Sequence, residues 1–121
     1  LPPLDLTVVV KGGPTLNDAL REDAQRAGLD AIAAVADTGF PAMGIVRGLV
    51  TQDALDIIES ADVVIAKGMA NFETTFEDDT IPLRTFYLLK AKCAPVAGLV
   101  GTSVGTLVLA DGSLRSPAAS R

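Results

Sequence analysis

The chain has 121 residues, of which 49% are hydrophobic and 21% charged, and its formal net charge is −5. This composition is typical of one small globular domain, and an acidic chain without a basic, aromatic-rich patch argues against a nucleic-acid partner. The absence of histidine excludes a Ser-His-Asp triad and a histidine-ligated zinc site within the chain, so a bound metal must take oxygen ligands. One cysteine cannot form an intrachain disulfide, and no apolar stretch approaches the roughly 20 residues that span a bilayer. We therefore expect a cytoplasmic protein without membrane contact.

The first half of the chain predicts strands that alternate with helices. The β-branched run LDLTVVVK predicts a strand over Leu4–Lys11, which GGP ends. A helix is predicted over Asn17–Gly28, with Asn17 or Asp18 as its N-cap. LDAIAAV then predicts a second strand over Leu29–Val35, followed by a loop with glycine and proline.

The second half continues the same alternation. TQDALDIIESA predicts a helix over Thr51–Ala61 with Thr51 as its N-cap, and DVVIAK predicts a fully buried strand over Asp62–Lys67. A polar loop is predicted over 68–80, with a helical turn as the alternative. A strand is predicted over Leu83–Lys92, with a helix as the alternative. A short helix over Pro95–Leu99 and a final strand and turn over 105–112 complete the predictions.

Continuous apolar strands that alternate with helices predict an α/β fold. We expect three layers, with a Rossmann-like, mostly parallel sheet covered by helices on both faces, and we expect the chain to be part of a longer protein. Residues 1–112 are assigned to this partial domain, and residues 113–121 to a polar tail. In such sheets ligands bind at the carboxyl ends of strands, where this chain has the sequences KGG, DTG and KG.

Two stretches after strands carry candidate site residues. Asn17 and Asp18 are either helix caps or, for Asp18, a ligand of a hard cation. Lys67 can offer a positive charge to a phosphate, and Gly68 lets backbone N–H groups approach it. Asn71 can hydrogen-bond a ligand oxygen, while Glu73 can accept a hydroxyl group or orient Lys67. The alternative for this second stretch is a solvated loop.

A third stretch is LLKAKC. Lys90 and Lys92 are two residues apart on a predicted strand, so their side chains share a face that is either solvated or binds an anion. The alternative is a solvated edge strand. Cys93 is more plausible as a small core residue than as a nucleophile.

Three segments occur in this order and at similar spacing in one known family. They are VVVKGGPTLNDALREDAQRAGLD, ADVVIAKGMANFET and FYLLKAKCAPVAGLVGTSVGTLV. The chain resembles the C-terminal portion of the metal-dependent damage-control phosphatases, whose domain is also described as an acidic-residue-methyltransferase-like metal-binding domain. The likeness covers about residues 5–109 and is closest to the archaeal and bacterial branch.

The resemblance implies a divalent metal (Mg, Mn, Co or Ni) and hydrolysis of phosphate monoesters of small metabolites, such as sugar phosphates or damaged phosphometabolites. It implies that Asp18 is a metal ligand with a catalytic role, and that Lys90 contacts the phosphate. Asn17, Lys67, Gly68, Asn71 and Glu73 would line the substrate pocket. The identity of the nucleophile stays open.

The chain departs from the family pattern in one respect. The family's Asp-Asn-x-Gly-Glu motif, which supplies further metal ligands, is absent from these residues. The activity is therefore expected of the complete protein. The alternative is a non-catalytic α/β module that binds a small anionic ligand or serves assembly. Methyl transfer from S-adenosylmethionine is disfavoured, because no glycine-rich loop is followed by an acidic ribose-binding residue.

Overall fold

A computed structural model describes residues 3–81 and 84–112. The predicted polar tail over 113–121 lies outside the described residues. The chain divides into two compact units, Leu1–Ile57 and Ile58–Arg121. No helix in the described ranges is long and apolar enough to cross a membrane.

The first unit contains two parallel strands. Strand β1 (Thr7–Val10) pairs with β2 (Ala34–Asp37), and Val10 lies opposite Asp37 at their carboxyl ends. Between them lie helix α1 (Arg21–Arg26) and a 3₁₀ helix. The predicted strand over Leu29–Val35 therefore begins later, at Ala34. Its first residues instead form local hydrogen bonds, such as the bond from the Ile32 N–H to the Leu29 carbonyl oxygen.

Helix α1 begins four residues later than predicted. The backbone N–H of Lys11 donates to the Ala19 carbonyl oxygen at 3.0 Å, which holds residues 19 and 20 extended beside the end of β1. The helix is capped instead at Leu20, whose N–H donates to Asp23 Oδ2 at 2.8 Å. The prediction that Asn17 or Asp18 caps the helix is therefore wrong, and both residues lie in the loop before it.

The second unit contains a three-stranded sheet. Strand β3 (Val64–Lys67) pairs in parallel with β4 (Thr85–Lys90), and β5 (Leu107–Asp111) pairs antiparallel with β4. The helices of this part of the chain are α3 (Met69–Thr75) and α4 (Ala94–Leu99), and α2 (Gln52–Ser60) contains the boundary between the units. Thr51 caps α2 as predicted, since its Oγ1 accepts from the Ala54 N–H at 3.3 Å.

Helix α3 replaces most of the predicted polar loop. Phe72 and Thr75 occupy one side of it, three residues apart, and both are buried. Thr75 also donates to the Asn71 carbonyl oxygen at 2.6 Å and lies 3.0 Å from the Tyr87 hydroxyl oxygen. Two apolar or small residues at helical spacing inside a polar sequence are only a weak signal for a helix. Tertiary packing then determines whether the segment is helical.

The core of the second unit lies on one face of its sheet. Phe72 from α3 and Val96 and Ala97 from α4 pack against Tyr87 and Leu89 of β4. The rings of Phe72 and Tyr87 meet edge to face with centroids 5.2 Å apart. Cys93 packs against this cluster, in agreement with its prediction as a core residue. The opposite sheet face is exposed, so the prediction of a fully buried β3 is wrong.

The predicted α/β fold class is confirmed. Two of the three described strand pairings are parallel, as expected for a mostly parallel arrangement, and only β4–β5 is antiparallel. The assignment of residues 1–112 to one partial domain stays a prediction.

Candidate functional site

In the first unit, the loops that follow β1 and β2 are in close contact. The backbone N–H of Gly12 donates to Thr38 Oγ1 at 2.9 Å, and the Thr38 side chain is buried. A Cβ atom on Gly12 would lie 2.3 Å from the backbone nitrogen atoms of Gly39 and Phe40. Only glycine fits at position 12 without a shift of the backbone. The first glycine of KGG therefore allows the two loops to lie in direct contact.

Lys11 connects three parts of this unit. Its Nζ donates to the Gly44 carbonyl oxygen at 3.0 Å and lies 3.9 Å from Asp18 Oδ2. Burial lowers the pKa of Lys11, and the nearby carboxylate of Asp18 partly offsets that shift. The Asp18 side chain is about two-fifths exposed, at 39%. The carboxylate predicted to bind a metal therefore has a lysine as its ionic partner, and Asn17 beside it is exposed.

An ion pair joins α1 to the end of β2. Arg21 donates to the Val35 carbonyl oxygen at 2.7 Å and to Asp37 Oδ2 at 2.8 Å. The hydrogen bond from Arg21, supported by the Gly39 N–H, holds the pKa of Asp37 below its usual value. Arg21 and Asp37 line a cleft of about 420 Å³ together with Lys11 and Glu22. Charges of both signs therefore surround this cleft.

In the second unit, the two predicted phosphate-binding lysines lie on the same sheet face. Lys67 pairs with Leu88, and Lys90 follows Leu88 by two residues along β4. Strand spacing and rise place their Cα atoms about 8 Å apart. Both side chains are exposed, and neither has an ion pair or hydrogen bond to a described residue. Lys92 follows the end of β4 and is exposed.

Gly68 forms the junction between β3 and α3. Its φ of 98° and ψ of 155° are reached by glycine almost alone, which explains this residue type between Lys67 and the helix. Its N–H donates to the Leu88 carbonyl oxygen at 2.8 Å and so extends the sheet ladder. The predicted approach of this N–H group to a phosphate would require that bond to open.

Asn71 and Glu73 differ in their surroundings. Asn71 Nδ2 donates to the Lys67 carbonyl oxygen at 2.6 Å, whereas its Oδ1 is buried without a hydrogen-bond partner among the described residues. The side-chain amide of Asn71 thus holds the Lys67 carbonyl group in place through this hydrogen bond. Glu73 is exposed on α3, and no ion pair joins it to Lys67 in the described part of the chain. Its predicted role in orienting Lys67 is not supported by this geometry.

The residues present do not fit a metal by themselves. Across residues 3–81 and 84–112, no group of three or more acidic, histidine or cysteine side chains could hold a metal ion. Asp18 is a single carboxylate, and a hard cation such as Mg²⁺ needs further oxygen ligands.

The sequence interpretation placed Lys11 and Asp37 at the carboxyl ends of strands, within KGG and DTG, but assigned neither of them a role in the site. It missed Arg21, the first residue of α1, which carries no local signal because it reaches Asp37 only when α1 begins after Leu20.

These features define an α/β protein in which, within each unit, charged side chains lie at the carboxyl ends of parallel strands, the usual position of ligand sites in such sheets. The family model of the damage-control phosphatase ARMT1-like domain matches residues 2–108. The chain belongs to this family.

Individual relatives agree with the family assignment. The chain is 48% identical over 106 residues to an uncharacterized protein of Methanocaldococcus jannaschii, covering 87% of this chain and 35% of the relative. It is 41% identical over 104 residues to a damage-control phosphatase of Pyrococcus horikoshii, covering 86% of this chain and 36% of that protein. The match to a damage-control phosphatase of Archaeoglobus fulgidus is 40% identical over 104 residues, with 85% and 35% covered.

A solved structure shares the fold. The crystal structure of a DUF89 family protein from Pyrococcus horikoshii matches with a TM-score of 0.83 and 40% identity, over 89% of this chain and 37% of that chain. The chain thus spans about a third of the length of the relatives it matches.

Proposed function

We propose that the complete protein is a metal-dependent phosphatase that hydrolyses phosphate monoesters of small metabolites, such as sugar phosphates or damaged phosphometabolites. The observation that carries this proposal is the pair Lys67 and Lys90, which lie on one sheet face at the carboxyl ends of parallel strands without a described anionic partner. The names of two relatives and the family match support the same chemistry.

In this proposal the two lysines bind one phosphate. Their Cα separation of about 8 Å is short enough for two long side chains to converge on a single group. Ammonium groups offset the negative charge that is redistributed as the phosphoryl group transfers, and such electrostatic positioning dominates the catalysis of phosphoryl transfer. Gly68 and Asn71 would position Lys67 through the backbone at the end of β3.

The divalent metal remains part of the proposal. Asp18 would be one of its ligands, and the others must come from residues of the complete protein outside this chain, because the described residues contain no ligand cluster. The metal, when bound, supplies positive charge to the phosphate oxygens. The single cysteine fits the cytoplasmic setting that we propose for such an enzyme.

The test is release of inorganic phosphate from a panel of phosphate monoesters by the complete protein. Each of Mg²⁺, Mn²⁺, Co²⁺ and Ni²⁺ is added after removal of bound metal with a chelator. Asp18→Ala should lower kcat/KM by about a hundredfold or more, because a metal ligand is lost. Asp30→Ala, an exposed acidic residue, is the matched control and should leave turnover unchanged. Unchanged turnover by Asp18→Ala would remove Asp18 from the site.

One observation favours the alternative of a non-catalytic anion-binding module. The described residues supply a single candidate metal ligand but two lysines able to bind an anion. Binding of phosphate by the complete protein, measured by calorimetry, without hydrolysis of any ester or metal in the panel would favour this alternative over the enzyme.

A further inference from the structure

The cleft of about 420 Å³ in the first unit is lined by residues that follow β1, begin α1 and end β2. Its volume is in the range of small-molecule sites in proteins. Arg21 and Asp37 in its wall neutralise each other through their hydrogen bond of 2.8 Å. The other charges of the lining, those of Lys11 and Glu22, therefore decide which ligand the cleft can bind.

Lys11 is a largely buried cation with unused hydrogen-bonding capacity. Its side chain is exposed by only 10%. An ammonium group has three N–H donors, and the bond to the Gly44 carbonyl oxygen is the only one that Lys11 Nζ makes to a described residue. The Asp18 carboxylate oxygen, at 3.9 Å, is beyond hydrogen-bond distance. Burial of a charge that lacks hydrogen-bond partners costs free energy, which an acceptor on a ligand in the cleft would offset.

Glu22 is the negatively charged group of the same lining. It is exposed, and neither an ion pair nor a hydrogen bond joins its carboxylate to any residue in the described ranges. A ligand in the cleft therefore meets both an ammonium group with unused donors and a carboxylate with unused acceptors. A simple anion would be repelled by Glu22, and a simple cation would be repelled by Lys11.

A ligand that carries both charges can satisfy both groups at once. Hydrogen bonds between charged partners are roughly twice as strong as those between neutral ones, so a zwitterion fits this lining better than an uncharged polyol does. We propose that the cleft binds a small zwitterion of the amino-acid type, whose carboxylate accepts from Lys11 and whose ammonium group donates to Glu22. This inference does not depend on the phosphatase activity, because it rests only on the charges that line the cleft.

Isothermal titration calorimetry of the complete protein tests the inference. The probes are glycine, β-alanine and 4-aminobutanoate, which separate the two charges by increasing distances. Glycolate keeps only the carboxylate, ethanolamine keeps only the ammonium group, and glycerol carries neither charge. At least one of the three zwitterions should bind about tenfold more tightly than each of these other probes, a difference of about 1.4 kcal/mol.

Substitutions in the cleft should weaken the binding of that zwitterion. Lys11→Met should raise its Kd by about tenfold or more, and Glu22→Gln, at a more exposed position, by about threefold or more. Lys92→Met and Asp30→Asn are the matched controls, because both residues are exposed outside the cleft, and they should leave the Kd unchanged. Circular dichroism checks that each variant folds, and where Lys11→Met does not, Glu22→Gln alone decides.

The paired lysines of the second unit provide a further control, because they too are able to bind a carboxylate. The double variant Lys67→Ala/Lys90→Ala should keep its affinity for the zwitterion. Lack of binding by all three zwitterions would overturn the inference, as would an equal affinity for glycolate, ethanolamine or glycerol. Binding that is lost in the double variant but unchanged by both cleft substitutions would also overturn it, and would assign the ligand to the paired lysines.

Discussion

Arg21, the first residue of α1, donates a hydrogen bond of 2.8 Å from Nη2 to Oδ2 of Asp37, the last residue of β2. The same guanidinium group donates to the Val35 carbonyl oxygen, so one side chain ties the helix to two positions of the strand. The pair therefore stabilises the packing of α1 against the carboxyl end of β2 in the first unit.

The Arg21–Asp37 pair should make stability depend on pH. The pKa of Asp37 is lowered in the folded state, so the unfolded chain binds more protons between the folded and unfolded pKa values, and stability falls as pH drops through that window. Asp37→Asn should lower the free energy of unfolding by about 1 kcal/mol at pH 7, the upper end for an exposed ion pair, and by less at a pH below the unfolded pKa of aspartate. Urea unfolding followed by circular dichroism measures both values. Asp30→Asn is the control, and an equal loss by Asp37→Asn at both pH values would contradict the account.

Gly12→Ala should destabilise the first unit. The new Cβ would lie 2.3 Å from two backbone nitrogen atoms of the neighbouring loop, and backbone cannot give way as a flexible side chain can. We expect a loss of about 2 kcal/mol or more in the free energy of unfolding. Gly98→Ala in α4 is the control, because nothing lies within 4 Å of its Cβ position and alanine favours a helix. A thermal melt in which Gly12→Ala is as stable as Gly98→Ala would refute the tight loop contact.

Gly68→Ala should impair the site more than its effect on folding explains. No atom lies within 4 Å of the Cβ position, so the penalty comes from the φ of 98° and should be about 1–3 kcal/mol. Relief of this strain would move the adjacent Lys67. Gly101→Ala is the control in the same unit, with φ of 72° and equally open space. Both variants should be less stable, but only Gly68→Ala should raise the KM for a phosphate ester in the complete protein. A raised KM in both would point to general loosening of the unit.

The sequence could predict the alternation of elements and the lysines at the strand ends, because both follow from local patterns. The apolar runs of β1 and β3 are followed directly by Lys11 and Lys67, as the sequence predicts. The prediction that Lys90 and Lys92 share a strand face is wrong, because β4 ends at Lys90. A likeness spread over three ordered segments also identified the family, which the comparisons confirm.

Other features depend on contacts that are distant in sequence. The start of α1 was wrong because Asn17 and Asp18 are good capping residues, yet the bond from Lys11 to Ala19 keeps the chain extended past them. The exposure of one face of β3 was not predicted, because a continuous apolar strand has the same sequence pattern whether one face or both are covered within the chain. The pairing of Lys11 with Asp18 likewise requires the folded loop.

The most direct test of the proposed function is the response of kcat/KM to removal of the paired lysines in the complete protein. Lys67→Ala and Lys90→Ala should each lower kcat/KM for a phosphate monoester by about tenfold or more, which corresponds to about 1.4 kcal/mol. The fold reduction in kcat/KM of the double variant should be smaller than the product of the two single-variant reductions, because both residues act on one phosphate. Lys92→Ala, an exposed lysine just beyond β4, is the matched control and should stay within about twofold. A double variant that hydrolyses the ester as fast as the unsubstituted protein would contradict the account.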